Sequence, residues 1–499
     1  MTGRGASSQA RRGPASPPRP DIALFMTDQQ RYDQVGYASG GFFETPALDG
    51  LAARGVRFDA AYSASTTCVP ARNALLTGIQ PHRLPKSQYP MALAQGTWTV
   101  AHALRQSGYD TALFGKMHFT PMHAEHGFDT VRTSEHLSGS RHALRGDGTP
   151  DIDDYHQWLV DLGLATWERL ELGEAPVLRP GASPAGRPPA LFPYDVRYHA
   201  TTWIEQEVST FLDQRRSDRP LFLVVSFPHP HTPLNPPEPY RSLYDPEDIA
   251  VPTPGFELNA GLPDAFREAM VADDRVYKPW RVAVHGEAAL RQRQSKIRAL
   301  IRQIDDTMGR LLARLDLGRT LVAFTSDHGD YGGRRGLASK IPWIPFDDLV
   351  RVPLVIAGPA VAAGRRVQDV VQPCDLPLTF CEGAGLDVPV EDFDSHTLWP
   401  FLGTTAASEP ERAAIFATTM GWPGVRRGAL KLILHPPEFS RVLFDLDDDA
   451  DESVNLAGHP ARRQDEEELG ELLRGTFARS RFDLRTFAPR ASAGSAPVG

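Results

Sequence analysis

Short, nearly continuous apolar runs punctuate the chain, separated by longer segments with helical spacing. The runs lie at Asp21–Asp28 (DIALFMTD), Tyr109–Lys116 (YDTALFGK), Pro220–Phe227 (PLFLVVSF) and Thr320–Asp330 (TLVAFTSDHGD). Runs of this length without polar alternation predict strands buried on both faces. Between them, Ser295–Leu315 sets Ile297, Leu300, Ile301, Ile304, Met308, Leu311, Leu312 and Leu315 along one helical stripe. Strands alternating with helices predict an α/β fold with a large, mostly parallel sheet flanked by helices. Each run ends in polar residues: Asp28 and Gln29, Lys116 and His118, His229 and His231, Asp327 and His328. Sites in open α/β sheets form along the carboxyl edge of the strands, so these four segments are expected to meet in one pocket.

After about Gly385 the pattern shortens to segments such as AAIFATT, ALKLILH and RVLFDLDDD, closed by the helix-like RQDEEELGELLRGTFAR. These predict a smaller antiparallel-sheet α+β subdomain over residues 386–487, behind a main α/β domain over 21–385. Residues 1–20 and 488–499, rich in Gly, Pro, Ser, Ala and Arg, are expected to be disordered tails. Ser138–Pro193 and the Pro-dense Pro228–Pro254 read as loops or insertions, and there are no internal repeats. Trp158, Trp167, Tyr240 and Trp280, in or near such loops, are candidates for lining a substrate pocket or for local packing.

Composition narrows the function. A length of 499 residues exceeds one ordinary core, and 41% hydrophobic with 23% charged residues describes a soluble globular chain. The net charge of −9 is spread out and leaves no basic footprint for nucleic acid, so an anionic substrate needs a local cluster of positive groups. Nothing approaches the roughly 18 apolar residues of a membrane span, and the N-terminus lacks the apolar core of a signal peptide. Three cysteines, Cys68, Cys374 and Cys381, make no disulfide framework. A cytoplasmic location is expected.

One cysteine stands apart. Cys68-Val-Pro-Ala-Arg72 precedes Leu-Leu-Thr-Gly within TTCVPARNALLTG, and this C-x-P-x-R element resembles the signature of the sulfatases, in the alkaline-phosphatase-like superfamily. MTDQQRYD, GKMH, PHTP, SDHGD and LASKIPW with RVPLVI stand in the sulfatase order, and the similarity runs from about Asp21 to Phe482. The resemblance implies that a formylglycine-generating enzyme oxidises Cys68 to formylglycine. Its hydrated aldehyde offers one hydroxyl to attack sulfur and a second to expel sulfate, splitting one difficult step into two. A position just ahead of a helix also brings backbone N–H groups toward the anion.

Carried over by motif, the implied metal ligands are Asp28, Gln29, Asp327 and His328 with the modified Cys68. An oxygen-dominated set suits Ca²⁺ or Mg²⁺. Gln29 stands where many sulfatases carry a second Asp, and His328 where some carry Asn, which brings Mn²⁺ and Zn²⁺ into consideration behind Ca²⁺. Arg72 is implied to hold residue 68 or its adduct. Lys116, His118, His231 and Lys340 match the positive groups of the family site, with His118 as the base that expels sulfate and Lys340 or His231 as the acid toward the leaving alcohol. His229 is expected at the solvent or substrate rim. DLDDDADE is read as a solvated turn, GGRRG (332–336) as a flexible connector whose Arg334 or Arg335 reaches substrate, and Cys374 and Cys381 as ordinary buried thiols.

The implied function is hydrolysis of an organic sulfate monoester. A phosphonate or phosphate ester hydrolase of the same superfamily is the alternative that Gln29 and His328 favour. A degenerate anion-binding member would lack a catalytic element, and none is missing here. No partner beyond substrate and the maturation enzyme is implied, and nothing in the sequence sets the oligomeric state.

Overall fold

The computed structural model describes residues 19–84, 93–94, 96–119, 121–135, 152–164, 195–249, 256–271, 282–388, 393–404, 411–416, 422–435 and 440–478. Residues 1–18 and 488–499 of the expected tails, most of Ser138–Pro193, and Trp167 and Trp280 lie outside the described residues.

Strands β1 (Asp21–Asp28), β2 (Gly55–Phe58), β3 (Asp110–Gly115), β4 (Thr130–Thr133), β5 (Leu221–Pro230), β6 (Thr320–Ser326), β7 (Leu354–Ala357) and β8 (Arg365–Val367) form one sheet in the order β4-β3-β5-β1-β6-β7-β2-β8. Only β7 runs antiparallel to its neighbours. The apolar runs are continuous because both faces are covered, and the period of two decides which residue serves which face. Ile22, Leu24 and Met26 of β1 join Phe222, Val224, Leu321 and Ala323 in one core. Ala23 and Phe25 join Leu223, Val225, Val322 and Phe324 in the other.

Helices α1 (Pro46–Ala53), α4 (Ala200–Gln214) and α5 (Val282–Leu312) cover the second face, and α2 (Cys68–Thr77), α3 (Val100–Gln106) and α6 (Leu376–Gly383) the first. The helical run α5 begins earlier than the apolar stripe predicts, is broken at Gly286 (φ 75°), and ends at Leu312. Leu315 lies beyond its end yet still packs on the core. From α5, Asp305 reaches the start of α1. Its carboxylate accepts the backbone N–H groups of Ala47 and Leu48 at 2.9 Å each, an N-cap supplied from 257 or more residues away. Burial pushes this carboxyl up to about 6.

The expected loop at Pro228 begins later than predicted. β5 continues to Pro230, whose partner across the ladder is Asp28. Proline is tolerated there because the ladder is already irregular between Met26 and Asp28.

The second sheet comprises β9 (Ala413–Phe416), β10 (Gly424–Arg427), β11 (Leu430–His435) and β12 (Ser440–Asp445), antiparallel in the order β12-β11-β10-β9. One face packs Val425, Leu432 and Leu443 against Leu469, Leu473 and Phe477 of α7 (Arg463–Ala478). The other face packs Ile433, Val442 and Phe444 against Tyr331, Leu337, Ile344 and Phe346. The second sheet is thus the floor beneath the segment that carries Lys340.

Polar contacts hold the same junction. Lys431, fully buried on β11, puts Nζ 2.8 Å from Asp347 and 2.7 Å from Glu452. The GGRRG segment is no flexible connector to substrate. Arg335 is 2% exposed, lies over the Phe346 ring at 3.8 Å and donates to the Asp451 carbonyl at 2.7 Å. Arg334 pairs with Asp348 at 2.9 Å and with Asp451. Only half of DLDDDADE is exposed: Asp445 ends β12 buried, Leu446 is buried, and Glu452, 1% exposed, is the buried partner of Lys431. Trp158 packs locally beside Tyr155 and Tyr198, and Tyr240 packs against the Tyr244 cluster. Cys374 and Cys381 are buried thiols pushed upward by burial, Cys381 to about 12. Among the described residues no helix is long and apolar enough to cross a membrane.

Candidate active site

Thr67 is extended (φ −135°, ψ 146°), and Cys68 is the first residue of α2. Pro70 in the first turn lacks the N–H that would go unpaired there, and Gly78 ends the helix in the left-handed conformation. The C-x-P-x-R spacing therefore leaves Cys68 at the positive end of α2 and Arg72 one turn further in.

Arg72 is fully buried and spans the two strand-end carboxylates. Its Nη2 lies 3.0 Å from Asp28 Oδ2 and its Nε 2.8 Å from Asp327 Oδ2. Nη1 donates to Ser226 Oγ at 2.8 Å and to the Lys116 carbonyl. These hydrogen bonds all go to protein groups, so Arg72 positions the acids behind residue 68. The fork of a guanidinium makes this possible, since one planar group serves several acceptors at once.

Lys116 follows β3 directly and puts Nζ 2.6 Å from Asp28 Oδ2. Gly115 before it is required: at φ 104° a Cβ would stand 1.8 Å from the Ser226 carbonyl oxygen of β5. Burial by itself would raise the Asp28 carboxyl, but Lys116, His231, Arg72 and Lys340 together hold it well below the usual range.

Asp327 and His328 leave β6 at its carboxyl end. Asp327 Oδ1 accepts the backbone N–H of Gln29 at 3.0 Å and of His328 at 2.8 Å. His328 Nδ1 faces the Gly329 carbonyl at 2.8 Å, which leaves Nε2 as the inward-facing ring nitrogen. Nε2 lies 3.2 Å from Cys68 Sγ and 3.2 Å from Lys340 Nζ, and Lys340 Nζ lies 2.9 Å from Sγ. Burial and Asp28 push the Cys68 thiol upward. Lys340, His328 and Lys116 outweigh them and lower it below its ordinary value.

Ligand atoms of Asp28, Cys68, Asp327 and His328 all lie within 4.8 Å of one another, and all four residues are buried. Two carboxylates and an inward imidazole nitrogen form a donor set that fits a divalent cation. Gln29, in the left-handed region at φ 68°, is 3% exposed, and its Nε2 donates to Asp330.

The histidines stand further out. His118 (φ 59°) puts Nε2 3.7 Å from Glu135, whose carboxylate also accepts the backbone N–H groups of Met117 at 2.8 Å and His118 at 2.7 Å. Glu135 was not legible in the sequence, because nothing in RTSEHL ties it to GKMH. The predicted place of His229 is corrected. It is 3% exposed and stacked on His199 with ring centroids 4.9 Å apart, and burial lowers it to about 4. The partly exposed residue of the pair is His231, whose charge reaches Asp28.

The family model for sulfatases matches residues 20–386. This chain belongs to the sulfatase family. As a sulfatase it is an enzyme, a hydrolase; the family acts on small-molecule sulfate esters and belongs to the alkaline-phosphatase-like superfamily. It is 30% identical over 459 residues to a choline-sulfatase of Rhizobium meliloti, covering 89% of this chain and 83% of that one. It is 29% identical over 399 residues to an arylsulfatase of Clostridium perfringens, covering 74% and 76%. In fold it is similar to a phosphonate monoester hydrolase of Silicibacter pomeroyi, with a TM-score of 0.75, 22% identity, and 93% and 96% of the two chains covered.

Proposed function

We propose that this sulfatase hydrolyses an organic sulfate monoester through a formylglycine at position 68 and a bound divalent cation. One observation carries the reading: Cys68 opens α2 with Lys340 Nζ at 2.9 Å and His328 Nε2 at 3.2 Å, inside a buried set of four potential ligands. An inert structural cysteine has no need of a cation and an inward imidazole at contact distance.

Conversion of Cys68 by a formylglycine-generating enzyme supplies, on hydration, the hydroxyl that attacks sulfur. Asp28, Gln29, Asp327, His328 and residue 68 would hold the cation, with Ca²⁺ first and Mn²⁺, Mg²⁺ and Zn²⁺ as alternatives. Bound there, it supplies neutralisation of the sulfuryl oxygens. Arg72 braces the Asp28 and Asp327 carboxylates, and Lys116 adds a second counter-charge at Asp28. Lys340 neutralises charge beside the reacting centre and, with His231, serves proton delivery to the leaving alcohol. His118, steadied by Glu135, takes the proton when sulfate is expelled. Cytoplasmic action is part of the proposal and rests on three unpaired, buried cysteines.

A second reading, phosphonate monoester hydrolysis, is favoured by Gln29 and His328, which leave the donor set one carboxylate poorer. The deciding experiment is peptide mass spectrometry across Cys68 after co-expression with the maturation enzyme, followed by kcat/KM on an aryl sulfate and an aryl phosphonate monoester. Thiol-to-aldehyde mass loss with faster sulfate cleavage is expected. A Cys68→Ser variant, matured alongside, should turn over neither ester. An unconverted thiol in active enzyme would overturn the nucleophile, and faster phosphonate cleavage would move the second reading ahead.

A further inference from the structure

Asp330, the second acid of SDHGD, has no role in the site as described so far, yet it is 1% exposed and lies against Gln29. Its surroundings are all donors. Oδ1 accepts the Gly332 N–H at 2.6 Å, and Oδ2 accepts Nη2 of Arg293, from α5, at 2.7 Å. Oδ2 also accepts Gln29 Nε2. Both oxygens act only as acceptors, so whatever occupies position 29 must present an N–H. An amide can do so and a carboxylate cannot.

A primary amide also carries its nitrogen and oxygen as two separate arms of one planar group. Once Nε2 is committed to Asp330, Oε1 is directed away from it and remains the side chain's acceptor. The backbone N–H of the same residue donates to Asp327 Oδ1 at 3.0 Å, which ties Gln29 to the ligand cluster from its other end. We propose that Asp330, clamped by Arg293, is a positioning residue that makes glutamine the required residue at position 29 and turns Gln29 Oε1 toward the divalent cation.

This inference rests on the metal assignment proposed above. It predicts an inverted result: an added negative charge at position 29 should weaken cation binding, because the new carboxylate would face Asp330 across the contact now made by Gln29 Nε2. An isolated ligand set predicts the opposite, since an extra carboxylate normally tightens a hard-cation site.

The test is calorimetric titration of chelator-stripped, full-length protein with MnCl₂ and with CaCl₂, comparing wild type, Gln29→Asp, Asp330→Ala and the double variant Gln29→Asp/Asp330→Ala. Loss of an outer-shell partner typically costs about 10–100-fold in metal affinity, and each single variant should fall in that range. In the double variant no acid faces the carboxylate introduced at position 29, so affinity should recover by about tenfold or more over Gln29→Asp. Melting temperatures without metal report folding. If Asp330→Ala does not fold, Gln29→Asp against wild type decides the matter: weaker binding supports the inference and equal binding overturns it. Gln29→Asp binding as tightly as wild type, or a double variant no better than Gln29→Asp, overturns the role of Asp330 alone. Wild type that binds neither ion overturns the metal assignment itself, and this inference with it.

Discussion

Lys340 Nζ stands 2.9 Å from Cys68 Sγ although 272 residues of chain separate them. The contact is built from two directions. α2 delivers residue 68 from the main sheet. The 331–346 segment delivers Lys340 from above the second sheet, clamped by Phe346, Ile344 and Leu337 against Phe444 and Ile433. A lysine held this way is a fixed charge rather than a solvated one, and fixed charge is what stabilises a transition state without reorganisation.

Replacing Lys340 with Met should therefore lower kcat by about 10²–10³-fold, the usual range for loss of one preorganised charge-stabilising group. In unconverted protein the same change removes the largest of the influences lowering the Cys68 thiol. The pH midpoint of iodoacetamide alkylation should move upward. An unmoved midpoint would show that Lys340 does not govern residue 68.

Arg72→Met should be among the most damaging single changes in the chain. It leaves Asp28 and Asp327 fully buried and deprives both of their shared counter-charge. Removing one member of a buried ion pair costs about 3–5 kcal/mol, readable as a lowered urea midpoint. Arg72→Lys should recover part of that loss, since an ammonium is charged but cannot span both carboxylates.

Chelation should abolish activity and lower the melting temperature, and re-addition of the cation should restore both. An ion present at 100 times its Kd stabilises by about 2.7 kcal/mol through mass action. A melting temperature indifferent to chelator and to added Ca²⁺ or Mn²⁺ would contradict a cation held by Asp28, Asp327 and His328.

Asp305 should leave a signature in the pH dependence of stability, far from the site. Its folded carboxyl sits at about 6, raised by burial, against about 3.9 in the unfolded chain. Between those values the folded state keeps a proton that the unfolded state has released, so stability falls as pH rises from about 4 to about 6. The whole effect is at most about 2–3 kcal/mol. Asp305→Asn should flatten that part of a plot of melting temperature against pH. An unchanged slope would exclude Asp305 as its source.

The α/β class and the convergence of four strand ends were legible from apolar runs and their terminal residues, because a strand buried on both faces must be apolar throughout and must turn polar where it leaves the sheet. Cys68, Arg72, Asp28, Asp327, His328 and Lys340 were likewise visible, since chemistry of this kind needs particular side chains at short, local spacings. What each of them touches was not legible. Arg72 proved to be the brace between Asp28 and Asp327. His229 turned inward to stack on His199, two residues from the more exposed His231. Glu135, Asp330, Arg293 and Lys431 were silent, because each acts through a partner at least 17 residues away, and a lone charged residue in sequence carries no mark of its partner. Local pattern determined the elements and the reactive residue types. Only tertiary packing decided their pairing, because hydrogen-bond direction and burial are properties of distance in space.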